Sequence, residues 1–134
     1  MSTAFEFLKA NKVFMVGTSD ATKGRVRPFA FVMKRNNTAY FCTGKGKDVY
    51  KQMTQYPDIE ICAMGPDNAW LRVRGAVVFD DSRDAKAQAF AEAPQLVNNY
   101  KKGADDETFV TFYLKDAEAT LYSFGAPPKK VDLI

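Results

Sequence analysis

Three short stretches of this chain carry residue types whose spacing could hold a ligand. The first is Thr43-Gly44-Lys45-Gly46-Lys47, which stands where a β-branched and aromatic run ends and a helical pattern begins. Free backbone N–H groups at a helix N-terminus, two residues without side chains and two ammonium groups converge there. That combination holds phosphate or another anion. It is not a Walker A loop, because no glycine stands at the earlier spacing and Lys47 is followed by Asp48 rather than Ser or Thr. Nor is it a dinucleotide fingerprint, since the Gly-x-Gly leads to Val49 and not to a third glycine. The competing reading is a solvated basic turn.

The second stretch is Arg25-Val26-Arg27-Pro28-Phe29-Ala30-Phe31. A period of two puts both arginines, Phe29 and Phe31 on one strand face, so guanidinium groups border an aromatic surface. Such a face suits a planar ligand with an anionic tail, although strand arginines also serve as plain solvent-facing supports. The third is Trp70-Leu71-Arg72-Val73-Arg74-Gly75. Here Trp70, Arg72 and Arg74 share one face, while Leu71, Val73, Val77 and Phe79 share the other. Trp and Arg are typical anchors of protein interfaces, so this face reads equally as a subunit contact. Gly75 marks a bulge or a close backbone approach.

What the chain lacks narrows the chemistry further. It has no histidine, which removes His-dependent triads, imidazole acid–base catalysis, His-ligated haem and His-containing zinc sites. The two cysteines, Cys42 and Cys62, do not make a Cys-x-x-Cys or a Cys₄ site, and both sit in apolar runs as reduced, packed thiols. Asp80-Asp81 reads as a helix cap and Asp105-Asp106-Glu107 as a loop, neither with calcium-loop spacing, so no metal site is implied. Tyr40, Tyr50, Tyr56, Tyr113 and Tyr122 have the chemistry of proton donors and equally that of packing residues.

The net charge of +3 divides unevenly. Residues 1–57 carry ten Lys/Arg against three Asp/Glu, and residues 58–134 carry nine against thirteen. A basic half within a modest total fits a local anion site better than a nucleic-acid groove, and no nucleic-acid partner is expected. The N-terminus lacks the basic-then-apolar pattern of a signal peptide, and no apolar stretch has the length of a membrane span. The cytoplasm is therefore the expected location.

These stretches need elements to position them. With 134 residues, 46% of them hydrophobic and eighteen aromatic, the chain can bury a substantial core, and no repeat or linker divides it. One domain over residues 1–134 is expected. Thr3-Ala4-Phe5-Glu6 is a capping box and starts a short helix to about Asn11. Strands are expected over Lys12–Ser19, Arg25–Lys34, Ala39–Thr43, Asp58–Met64, Trp70–Phe79, Thr108–Leu114 and Ala119–Phe124. Helices are expected over Asp48–Tyr56, stopped by Pro57, and from the Asp80/Asp81/Ser82 caps through about Glu92, with a shorter one from Pro94 to about Tyr100. Lys101–Glu107 is a polar loop and Gly125 opens a tail. Many hairpins and few helices make this a mainly β chain, a β-barrel with peripheral helices.

The order and spacing of several segments resemble the pyridoxamine 5'-phosphate oxidase-like, FMN-binding split-barrel superfamily. They are Phe5-Glu6-Phe7-Leu8, Arg27-Pro28-Phe29, Tyr40-Phe41-Cys42-Thr43, Lys47…Met53…Pro57 and Trp70…Arg74-Gly75. The match runs from about residue 3 to residue 125 and is nearest to the small general-stress-protein and NimA/NimC-like branch. The resemblance implies a six-stranded antiparallel split barrel that forms a homodimer, with FMN in each of two interface clefts. It also implies an oxidoreductase exchanging hydride between a nicotinamide and a small acceptor, or else a non-catalytic flavin carrier or sensor. By position, Arg27, Pro28 and Phe29 would line the flavin and Thr43 would end the third strand. Gly44, Lys45 and Lys47 would hold the phosphate, and Trp70, Arg72 and Arg74 would approach the flavin or the partner. The chain departs from true pyridoxamine phosphate oxidases. Val32 stands where they carry a lysine, their serine–arginine–lysine phosphate group is not reproduced, and their C-terminal substrate-gripping segment is missing. The histidine of nitroimidazole reductases and of haem-degrading split barrels is missing as well.

Overall fold

In the computed structural model, which describes residues 2–134, the capping box forms as spaced. Helix α1 (Ala4–Asn11) starts at Thr3, whose hydroxyl accepts from Glu6 N–H while the Glu6 carboxylate accepts from Thr3 N–H. Ala4 and Leu8, one turn apart, are its buried face. Its first N–H groups also donate to the C-terminal segment, Ala4 to Asp132 and Phe5 to Leu133.

Eight strands follow: β1 (Phe14–Ser19), β2 (Gly24–Phe29), β3 (Met33–Arg35), β4 (Thr38–Gly44), β5 (Asp58–Met64), β6 (Ala69–Asp80), β7 (Phe109–Ser123) and β8 (Ala126–Val131). All pair antiparallel in one sheet of order β2-β1-β5-β6-β7-β4-β3, with β8 added to β7. The class is mainly β with a split-barrel architecture, as expected, but eight strands replace the expected six. Ring contacts show that the sheet curls upon itself. Phe14 on β1 meets Phe41 on β4 at 5.7 Å, and Phe29 on β2 meets Phe112 on β7 at 6.2 Å, although these strands are not neighbours in the ladder. The inward side chains Val16, Phe41, Ile61, Leu71, Val73 and Phe112 make the core.

Three expected strand boundaries change, each for a local reason. The run Arg25–Lys34 is two strands, β2 and β3, joined through Ala30–Val32; β2 is an edge strand, where the missing N–H of Pro28 is tolerated. Asn36 and Asn37, with φ of 50° and 59°, then close the tight turn into β4. Thr108–Leu114 and Ala119–Phe124 are one continuous strand, β7, because its ladder with β6 survives the polar Lys115–Glu118 stretch as a bulge opposite Gly75. The tail after Gly125 is itself a strand, β8.

Gly75 is needed at that bulge. A Cβ there would lie 2.9 Å from the Leu114 Cβ and 3.0 Å from the Lys115 carbonyl oxygen, with no flexible side-chain end to give way. Gly75→Ala is therefore expected to cost about 2 kcal/mol through overpacking. Thermal unfolding followed by circular dichroism would fall by roughly 6–10 °C; an unchanged midpoint would mean that the bulge relaxes freely.

Two helices bracket the future site. Helix α2 (Asp48–Gln55) connects β4 to β5 and buries Val49 and Met53. Helix α3 (Arg83–Glu92) follows β6, capped by the Ser82 hydroxyl accepting from Ala85 N–H. With Met33, Tyr40, Tyr100 and Phe109, its alanines 85 and 89 form a second cluster on the outside of the β3–β4 end.

Candidate functional site

Strand β2 lies beside β1 with Arg27 opposite Val16 and Arg25 opposite Thr18. This register aims both arginines at the end of the barrel where α2 begins. The Arg27 guanidinium donates from Nη1 to Thr18 Oγ1 at 2.7 Å and to the Val16 carbonyl at 3.3 Å, and from Nη2 to Gln52 Oε1 at 2.6 Å. The Thr18 hydroxyl donates to the same Gln52 oxygen at 2.6 Å. Partial burial lowers the Arg27 pKa, yet a guanidinium keeps its proton. Arg27 thus ties β2, β1 and α2 together as a fixed positive wall. Arg25 is held by Asp20 at 2.7 Å, and that bond, with N–H groups of Lys23 and Thr22, takes the Asp20 carboxyl far below the carboxylate range.

The Thr43–Lys47 loop runs where β4 passes into α2. Lys45 N–H donates to the Thr108 carbonyl at 2.7 Å and Lys47 N–H to the Gly44 carbonyl at 3.1 Å, which fixes the turn. Lys47 is the N-cap of α2 and supplies no side-chain cap, so the helix end relies on water or a ligand for its free N–H groups. The two lysines diverge. Lys45 Nζ turns away to Asp81 Oδ2 at 2.6 Å, whereas Lys47 lines the cleft and makes no ion pair among the described residues.

A cleft of about 350 Å³ opens between the Arg27–Phe31 strand end and the Leu96–Tyr100 turn, floored by Cys42 and Thr43. Next to it a groove of about 390 Å³ lies among Arg25, Lys47, Asp48 and Gln52, and Arg27, Lys47 and Val49 border both. Each volume falls within the range of small-molecule sites, about 300–1,000 Å³. The Thr43 hydroxyl is buried and has no hydrogen-bond partner, although the residue is only 3% exposed. A buried polar atom left unpaired costs stability, and a water or a bound ligand at the cleft would supply the partner Thr43 lacks. Burial pushes the Cys42 thiol up to about 12, which keeps it neutral and unreactive. Among the described residues no His/Cys/Asp/Glu cluster could hold a metal ion, and no helix is long and apolar enough to cross a membrane.

Of the residues singled out from sequence, Arg27, Pro28, Phe29, Thr43 and Lys47 meet in this cleft. Gly44 borders it by leaving room for Tyr100, whose hydroxyl lies 2.8 Å from where a Cβ would stand. Lys45 faces α3. Trp70, Arg72 and Arg74 lie elsewhere, on the outward face of β6. Arg72 pairs with Glu60, and Arg74 with Glu118 at 2.9 Å. Trp70 stacks on Tyr122 at 5.4 Å, beside the exposed Phe124 and Met64. Val32, at the position of the pyridoxamine phosphate oxidase lysine, is buried in the core, and Lys34 reaches over the Phe5 ring at 5.2 Å. Gln52, Leu96, Asn99 and Tyr100 join the site unforeseen.

The profile of the pyridoxamine 5'-phosphate oxidase family matches residues 2–121, which is most of the chain. The chain belongs to that family. Within it, the protein is similar to a NimC/NimA family protein from Clostridium acetobutylicum, with 35% identity and a TM-score of 0.89 over 96% of this chain and 88% of that one. More distant neighbours share the fold alone. The general stress FMN/FAD binding protein of Xanthomonas citri has 16% identity and a TM-score of 0.70, covering 92% and 90% of the two chains. HutZ, described as a heme storage protein of Vibrio cholerae, has 14% identity and a TM-score of 0.66, covering 88% and 89%. No curated protein matches the chain in sequence.

Proposed function

We propose that this protein binds FMN in the cleft between β2, β4 and α2 and works as an oxidoreductase. The observation that carries the reading is the orphaned Thr43 hydroxyl, set between aromatic walls and a helix N-terminus with a free cation. FMN fits this donor set. Its phosphate dianion suits Lys47 and the N–H groups of α2, with Arg25 and Arg27 adding positive potential nearby. Its flat ring suits Pro28, Phe29 and Phe31, and the Thr43 hydroxyl would donate to it. When bound, FMN supplies hydride transfer at N5 between a nicotinamide donor and a small acceptor.

The residues themselves bind, orient and exclude water. Arg27 is already locked by Thr18 and Gln52, so its charge is preorganised and needs no rearrangement on binding. No carboxylate lines the cleft and its thiol stays neutral, so the side chains offer no general base. The same observation supports a second reading, a flavin carrier or sensor without turnover.

The family's usual assembly, a homodimer with the flavin between subunits, is part of the proposal. The exposed Met64 and Phe124, the half-buried Trp70 and the paired arginines 72 and 74 give an outward face of interface composition, separate from the cleft proposed for the flavin. Free Cys42 and Cys62 accord with a reducing, cytoplasmic setting. Haem is not proposed, because the chain has no histidine to ligate it. The purified protein is expected to be yellow and to release FMN, about one per chain, on denaturation. NADH or NADPH should bleach the flavin bands and an added quinone restore them. Bound flavin that never bleaches favours the carrier; a colourless protein that takes up no FMN overturns the proposal.

A further inference from the structure

The groove of about 390 Å³ at the start of α2 is lined by the charged side chains of Arg25, Arg27, Lys47 and Asp48 and by one neutral polar side chain, Gln52. Arg25 is already paired with Asp20, whereas Arg27 and Lys47 form no ion pair among the described residues. Asp48, in the first turn of α2, is the one carboxylate lining the groove, and its charge acts on Arg27 less strongly than burial and Arg25 do. Two uncompensated cations against one carboxylate leave the groove positive.

Gln52 is placed by the helix that carries it. Val49 and Met53 bury α2 against the barrel, which sets the half-buried Gln52 against β1 and β2. Its Oε1 accepts from Arg27 Nη2 and from the Thr18 hydroxyl, each at 2.6 Å, while Thr18 Oγ1 accepts from Arg27 Nη1 at 2.7 Å. The three side chains close a triangle about Thr18, which is buried. A guanidinium can only donate, so the Gln52 atom that faces it is the oxygen. With the bond to the Val16 carbonyl, three N–H groups of Arg27 are engaged and the rest stay open to a ligand. A carboxylate at position 52 would hold Arg27 equally well but would cancel its charge. The carboxamide holds it and leaves the charge whole. A long side chain that is already held also loses little freedom when an anion arrives.

We propose that Gln52 is a positioning residue for the phosphate end of the site: its neutral oxygen aims the Arg27 guanidinium without discharging it, and so favours a phosphorylated flavin over an unphosphorylated one. This rests on the FMN reading.

The test is fluorescence-quenching titration of the flavin-stripped full chain with FMN and with riboflavin, which lacks the phosphate. Gln52→Met is expected to bind FMN about fivefold more weakly, the cost of immobilising a long side chain on binding, with riboflavin affinity within twofold of wild type. In an Arg27→Met background the same replacement should change FMN affinity by less than twofold, because Gln52 acts through Arg27. Gln52→Glu keeps the accepting oxygen but adds charge, and should weaken FMN at least as much as Gln52→Met while sparing riboflavin. Equal losses of FMN and riboflavin in Gln52→Met would make Gln52 a merely structural residue and overturn the assignment. A full loss persisting in the Arg27→Met background would make it a direct phosphate ligand and overturn it as well. Wild-type FMN affinity in Gln52→Glu would overturn the need for a neutral group. Failure of the FMN reading shows separately, as a wild type that binds neither flavin.

Discussion

Lys47→Glu is expected to weaken FMN binding by about a hundredfold, the loss of a charge-assisted contact combined with a repulsive carboxylate. Lys47 is the cation of the Thr43–Lys47 loop that faces the cleft, because Asp81 draws Lys45 to the other side. The replacement puts negative charge where a phosphate dianion must sit, at the start of α2. Helix stability should hardly change, since the Lys47 side chain makes no capping bond and a carboxylate suits a helix N-terminus. Far-UV circular dichroism is accordingly expected to match the wild type. Lys51→Glu, one turn along α2 on its exposed side, makes the same change in net charge and controls for it. It should alter FMN affinity by less than about threefold at physiological salt. Equal effects of the two variants would move the phosphate away from this loop.

A stability loss as large as that at Gly75 is expected at Asp81. Lys86 is on the buried face of α3 with only 8% of its side chain exposed, and its ammonium pairs with Asp81 Oδ1 at 2.8 Å while Lys45 takes Oδ2 at 2.6 Å. The Asp106 carbonyl accepts a further, longer bond from Lys86 at 3.3 Å. Asp81→Asn leaves two ammonium groups without their shared counter-charge, one of them inside the protein. The cost is about 2 kcal/mol, less than for a fully buried pair because Asp81 is half exposed to water. A melting point lower by roughly 6–10 °C would report it. Pairing Asp81→Asn with Lys86→Met should recover most of the loss, since the double variant removes the stranded charge instead of exposing it. Burial alone would raise the Asp81 carboxyl, but hydrogen bonds from Lys45 and Lys86 outweigh it and hold the carboxyl below its ordinary value. Its contribution is therefore present at neutral pH and disappears as pH falls below about 4 through the depressed value. The gap between wild type and Asp81→Asn should close in that acid range.

Local signals in the sequence located most elements. The capping box, the alternation in Asp58–Met64 and the Pro57 stop each act over a few residues and so leave a readable trace. The errors came where long-range pairing overrode local chemistry. Lys115–Glu118 looks like a break, yet β6 supplies a complete partner for the strand on both sides of it. The segment from Gly125 looks like a tail, yet it pairs with β7 as an outermost strand, which tolerates the missing N–H groups of Pro127 and Pro128. The site divides in the same way. Alternation correctly put Trp70, Arg72 and Arg74 on one face, but only the sheet order shows that this face points away from the cleft. The opposite roles of Lys45 and Lys47 depend on Asp81, thirty-odd residues downstream, and Tyr100 enters the site because Gly44 makes room for it. Neither relation has a local signature.

The outermost strands have a consequence for how copies of this protein can meet. A sheet that is not fully closed leaves backbone donors and acceptors open to strand addition, the route to fibrils and non-specific clumping. Here β2 carries Arg25, Arg27 and Pro28 at one border, β3 at the other is only three residues long, and β8 carries Pro127, Pro128, Lys129 and Lys130. Imino residues without N–H, clustered positive charge and brevity each discourage a foreign strand. Orderly assembly is thereby steered from the borders of the sheet to its broad faces, where side chains rather than backbone decide what is admitted.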